Sequence, residues 1–144
     1  MIVPDTNLFL YAYDANAREH RRARAWLQEA FSGSEIVGIA WQTISGFVRI
    51  LTHPAVSGDR YSIEEAMAIV DEWLELPNVR ILNPGQQHWT LLRKVLLSGD
   101  ARGNLITDAC LAALAIEFGG VLYSNDRDFA RFPGLRWVNP LAKP

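Results

Sequence analysis

Three aspartates occupy positions where an α/β chain places its chemistry. Asp5 follows the apolar run Met1-Ile2-Val3, Asp126 follows Val121-Leu122-Tyr123, and Asp108 lies in the first turns of a very apolar helical stretch. In an open parallel sheet the ligand crevice lies beyond the carboxyl ends of the strands, so residues just past two separate strands can meet across most of the chain. Carboxylates gathered in this way repel one another. Two unit charges about 4 Å apart cost roughly 4 kcal/mol at an effective dielectric near 20, so such a cluster either binds protons or recruits a cation. A hard divalent ion with oxygen ligands, Mg2+ or Mn2+, is the simplest resolution, and it points to phosphate-ester chemistry. Thr6, Asn7, Ser124 and Asn125 flank the two strand-end acids and supply short polar groups that can position waters or phosphate oxygens. Asp128, two residues beyond Asp126, is a candidate auxiliary ligand.

Each acid also has a simpler reading. Asp5 and Asp126 can cap the helical turns that follow them, and Asp108 can sit near a helix N-terminus for dipole reasons. Asp108 resists this most, because Leu105, Ala109, Leu111, Ala112 and Ala115 surround it with apolar neighbours and an unpaired buried carboxylate is expensive. The small Ala112 and Ala115 would let its helix pack closely against the strand carrying Asp5. Arg127, Arg131 and Arg136 surround Asp126, where a polyanion approaching a metal needs neutralising charge, and Arg127 and Arg131 are the candidate contacts to it. Arg18, Arg21 and Arg22 share one side of a helix and read as a solvated face. His20, His53 and His88 are scattered without zinc-ligand spacing, and no phosphate-binding glycine loop, nucleophile elbow or paired-cysteine motif is present.

The elements that must position these acids alternate along the chain. Strands are expected at 1–3, 35–39, 79–82, 121–123 and 135–138. Helices are expected from a capping box at Asn16 and Glu19, over Trp41 to Leu51, from a second capping box at Ser62 and Glu65, from Pro84-Gly85 to Leu97, and from Asn104 or Thr107 through Phe118. The Trp41 segment carries Trp41, Ile44, Phe47, Val48 and Leu51 at helical spacing as its apolar face. Gly119-Gly120 stops the last long helix, and a short helix follows from Asp126 to Phe132. Strands separated by helices imply right-handed crossovers and a mostly parallel sheet of four to five strands with helices on both faces.

With 144 residues and 49% hydrophobic content, the chain suits one globular domain over 1–144 with a real core. A net charge of -2 excludes a global basic field, so any nucleic-acid contact must be local. The single Cys110 cannot form an intramolecular disulfide, and a reduced, cytoplasmic protein is expected. No signal-peptide pattern or membrane-length apolar segment is present in the sequence.

Four segments together resemble a known family: Pro4-Asp5-Thr6-Asn7-Leu8-Phe9-Leu10-Tyr11-Ala12, Trp41 through Phe47-Val48-Arg49-Ile50-Leu51-Thr52-His53-Pro54, Asn104-Leu105-Ile106-Thr107-Asp108-Ala109, and Ser124-Asn125-Asp126-Arg127-Asp128-Phe129. In this order, and on to Leu135-Arg136-Trp137 and Asn139-Pro140-Leu141, the chain is similar to PIN-domain proteins, closest to the VapC toxins of bacterial toxin-antitoxin pairs. The resemblance implies a PIN-like three-layer α/β sandwich and an Mg2+- or Mn2+-dependent endoribonuclease. Such a protein is usually a homodimer, held inactive by a cognate VapB-like antitoxin whose C-terminal segment occupies the groove. It assigns Asp5, Asp108 and Asp126 to the metal, with Asp128 auxiliary. One position departs from the pattern: where PIN domains commonly carry a further acid, usually Glu, this chain has Gly46. Three strong ligands then remain, and a second ion would be weakly held and arrive with the substrate phosphate. Two other readings follow from the residues. The missing acid suits a module that binds RNA or antitoxin without cutting, and Asp5 after the first strand suits an Asp-nucleophile phosphatase or dehalogenase, although Asn7 stands where such enzymes carry a second Asp.

Overall fold

The computed structural model describes residues 1–54 and 61–143. Among these residues five strands form one sheet: β1 Ile2–Pro4, β2 Val37–Ala40, β3 Val79–Leu82, β4 Val121–Tyr123 and β5 Trp137–Val138. Six α-helices connect them: α1 Thr6–Tyr13, α2 His20–Ser32, α3 Trp41–Leu51, α4 Ile63–Glu75, α5 His88–Ser98 and α6 Leu105–Glu117, with a short 3-10 helix at Arg127–Arg131. The sheet order is β3-β2-β1-β4-β5, and every pairing is parallel rather than mostly so.

Both faces of the sheet are covered, because successive side chains on a strand point to opposite sides. Ile2, Val37 and Ile39 join a core with α1 to α4, centred on Phe9, Phe47 and Trp73. Val3, Ala40, Leu82 and Leu122 join a second core with α5, α6, Phe129 and Phe132. The chain thus winds from β1 to β3 with its helices on one face, crosses to the other with α5 and α6, and re-enters at β4 beside β1. The segments leaving β1 and β4 diverge to opposite faces, which opens a crevice at the strands' carboxyl ends. Helix α6 reaches that crevice with its N-terminus, since its C-terminal end turns back at Gly120 to the start of the sheet, where the Val121 N–H donates to the Met1 carbonyl. Gly119 makes this reversal with φ 66°, a conformation side chains other than glycine adopt at a cost.

Most boundaries follow the sequence pattern, and the exceptions have local causes. The Ser62 and Glu65 capping box forms in full. The one expected at Asn16 does not: the Asn16 N–H donates to Asp14 Oδ1, and α2 opens four residues later at His20, whose Nδ1 donates to the Tyr11 carbonyl at 2.8 Å. Asn104 precedes α6 without a side-chain capping bond, and Thr107 lies inside the helix. Pro84-Gly85 does not open α5, which begins at His88; there Gly85 N–H and His88 Nδ1 both bind the Glu117 carboxylate at the end of α6. Trp41 leaves the apolar face of α3, standing 55% exposed at the first turn with its indole N–H donated to Asn83.

Trp73 is 1% exposed and stacks within 4.4 Å of Phe9 and 4.6 Å of Phe47, centroid to centroid. Trp73→Ala should therefore cost about 3–5 kcal/mol, against about 1 kcal/mol for Ser62→Ala, which removes only the cap. Urea unfolding of the two variants checks the ranking; equal losses would mean that the aromatic cluster does not anchor this face.

Candidate active site

Asp5 is the first residue past β1, and its backbone N–H still donates to the Tyr123 carbonyl of β4. Its side chain caps α1, with Oδ1 accepting the Thr6 N–H at 2.7 Å, while Oδ2 accepts the Ser124 hydroxyl at 2.7 Å. Asp126 caps the 3-10 helix in the same manner, accepting the Asp128 N–H at 2.9 Å. Asp108 stands in the first turn of α6. The capping readings are thus correct as local chemistry, and they are also the means of assembly. Three helical N-termini converge on one crevice, and the partial positive charge at each offsets part of the carboxylate charge gathered there.

Ser124 joins the two halves of the chain. Wholly buried, its hydroxyl donates to Asp5 and accepts from the Asp126 N–H at 3.0 Å and the Asn7 amide at 3.3 Å. Asn7 spends its NH2 group on Ser124, and its Oδ1 is left buried with no partner among the described residues. Asn125 turns away, its amide oxygen accepting from Asn139.

The carboxylates still strain against one another. Burial, then the charges of Asp5, Asp126 and Asp128, push the Asp108 carboxyl from 3.8 up to about 6, with Arg131 pulling the other way. Burial also raises Asp5, more than its bonds to Ser124 and Thr6 lower it. Ligand atoms of Asp108, Asp126 and Asp128 lie within 4.8 Å of one another. All three offer carboxylate oxygens, the ligand type that a hard divalent cation takes. Asp5 stands outside that tightest group and lines the same groove with Asp108 and Asp126. The unpartnered Asn7 Oδ1 is an acceptor that an ion's waters would satisfy. The residues fit a hard divalent cation.

The groove is an open cleft of about 500 Å3, floored by Asp5, Asp108 and Asp126 and walled on the other side by Gln42, Ser45, Gly46 and Arg49 of α3. Gly46 lies in this wall. Among the described residues a Cβ there would meet only Thr6, at 3.6 Å, so a side chain could start from this position without a clash. Of the arginines around Asp126, Arg131 is anchored to the Gly99 and Asp100 carbonyls, and Arg127 is exposed outside the groove wall. Arg136 is not near the acids: it donates to the Gly119 carbonyl at the amino-terminal ends of the strands, opposite the crevice. Arg49 was missed by the sequence reading. The signal was its place one turn beyond Gly46 on the same helix.

Residues 2–135 match the PIN domain family. The chain is 40% identical over 141 residues to the ribonuclease VapC33 of Mycobacterium tuberculosis, spanning 98% of this chain and 99% of that protein. Its fold is similar to that of VapBC2 from Rickettsia felis, crystallised with a DNA fragment from its promoter, with TM-score 0.71 at 18% identity over 96% of this chain and 98% of that one. It is also similar to VapC20 of M. tuberculosis, described as a sarcin-ricin loop cleaving toxin, with TM-score 0.68 at 19% identity over 94% and 99% of the two chains. With the family matched over nearly its whole length and a close full-length relative among the VapC ribonucleases, this chain belongs to the PIN-domain family.

Proposed function

We propose that the chain is the toxin of a toxin-antitoxin pair, an endoribonuclease that hydrolyses RNA phosphodiester bonds with Mg2+ or Mn2+. The observation that carries the proposal is the convergence of Asp108, Asp126 and Asp128 within 4.8 Å, beside Asp5, in a groove open to a polymer. The full-length likeness to a VapC ribonuclease supports it.

In this reading Asp108 and Asp126 would hold the ion, with the exposed Asp128 as an auxiliary ligand and Asp5 completing the set from the β1 side. When bound, the ion would supply a water of lowered pKa and offset charge on the phosphate and leaving oxygen. Thr6 and Ser124 hold the Asp5 carboxylate in one orientation, and Asn7 offers its open acceptor to a water. Arg131 lies close enough to act on Asp108 and would share the phosphate charge, with Arg127 as a further RNA contact. A VapB-like antitoxin and a second copy of the chain are the proposed partners, and the cytoplasm the proposed location. Among the described residues no helix is long and apolar enough to cross a membrane.

A second reading is favoured by Gly46 alone: a module that holds RNA or antitoxin without cutting. Titrating Mn2+ into purified protein with bulk cellular RNA separates the two, since binding without cleavage at any ion concentration supports the module.

Asp108→Asn and Asp126→Asn should each lower RNA cleavage by roughly a thousandfold, the several kcal/mol of transition-state stabilisation that a held ion contributes, while circular dichroism shows an intact fold. Full cleavage by a folded Asp108→Asn protein would falsify the metal-nuclease reading.

The raised Asp108 carboxyl fixes a pH dependence. Folded protein holds its proton up to about 6 and unfolded chain only to 3.8, so between these values the folded state binds more protons. Metal-free stability should fall as pH rises through this window, by about 1 kcal/mol because water screens the half-exposed group. Thermal melting in EDTA should show the slope in the wild type and lose it in Asp108→Asn, which should also melt higher at neutral pH. With Mn2+ present the ion competes with that proton, so cleavage should rise as pH climbs, and the rise should move to lower pH as Mn2+ is increased.

A further inference from the structure

We propose that Arg49 is a substrate-binding residue that takes an RNA phosphate on the α3 wall, facing the carboxylates across the groove. The inference rests on the ribonuclease reading and adds to it the place where the polyanion is held. A groove floored by Asp5, Asp108 and Asp126 presents negative potential to RNA, and a nucleic acid enters such a site only where cations neutralise its phosphates. Among the described residues lining the groove, Arg49 is the one permanent cation.

Its placement suits the task. Gln42, Ser45, Gly46 and Arg49 recur at three- and four-residue intervals and so share one face of α3. Arg49 follows Gly46 by three residues, about 4.5 Å along the axis. The glycine leaves the wall bare where a side chain would otherwise stand between the carboxylates and the guanidinium. Arg49 is exposed, and no hydrogen bond or ion pair among the described residues engages its guanidinium. Arg131, on the other side of the acids, is already bound to two backbone carbonyls. An unengaged planar fork can grip two phosphate oxygens at once, which a lysine cannot. The bare wall at Gly46 and the open guanidinium one turn on together admit and hold a phosphate that an acid at position 46 would repel.

The test uses full-length protein and a fluorescently labelled mixed-sequence oligoribonucleotide. Binding is read by anisotropy in an Asp108→Asn background, so that RNA is held without being cut, over a range of KCl concentrations. Arg49→Ala should weaken binding roughly tenfold, as for loss of one charge-assisted contact, and should reduce the slope of log Kd against log salt by about 0.7. Arg49→Lys should restore the slope but only part of the affinity. With Asp108 intact and bulk cellular RNA as substrate, Arg49→Ala should raise KM roughly tenfold with kcat nearly unchanged, the pattern of a contact made equally in ground and transition states. Unchanged Kd, salt slope and KM in a protein that still binds and cuts RNA would overturn the role of Arg49 and leave the ribonuclease reading standing, as would a loss confined to kcat. RNA neither bound nor cut by the wild type would bring down both.

Discussion

One buried hydroxyl ties the structure together. Ser124 donates to Asp5 and accepts from Asp126 and Asn7, so a single side chain on the β4 exit sets the first acid, 119 residues away in sequence, and the third. The bonds are short-range, yet they depend on β1 and β4 being neighbours in the sheet. That adjacency is itself a consequence of the chain crossing from one face of the sheet to the other between β3 and β4. A hydroxyl is well suited here, since it accepts from the two N–H donors and still has a proton for the carboxylate.

Around this point the fold resolves a conflict between charge and burial. Four aspartates in or beside one crevice repel, and burial penalises Asp5 and Asp108 further. Part of the compensation is built in, because α1, α6 and the 3-10 helix all present their N-termini to the crevice. It is incomplete. The carboxyl of Asp108 remains raised to about 6, and Asn7 keeps a buried acceptor without a partner among the described residues. Residual imbalance of this kind marks functional sites, where local stability yields to chemistry.

Much of the architecture was legible because its signals are local. The ends of α3, β3 and β4 coincide with the apolar periodicity, and the Ser62 box formed as its spacing implied. Several of the misreadings arise where a local motif met a competing partner. At Asn16 the backbone N–H is taken by the Asp14 side chain, and Trp41 left its apolar stripe for Asn83 beyond β3. Pro84-Gly85 was held as a loop by Glu117 of α6. Arg136 is near Asp126 in sequence, but the 3-10 helix and loop between them carry it back to the amino-terminal ends of the strands.

By itself, the sequence determined the α/β class and the alternation of elements, and it singled out the candidate acids, because apolar periodicity and strand-end position are written locally in the chain. Only the tertiary structure decided how those acids divide. It placed Asp128 with Asp108 and Asp126 in the tightest group, left Asp5 beside them on Ser124, and turned Asn125 toward the C-terminal segment. It also set Gly46 and Arg49 into the wall facing the acids. The physical reason is that spacing fixes which residues share a helix face, whereas what that face meets depends on the crossover that brings distant elements together.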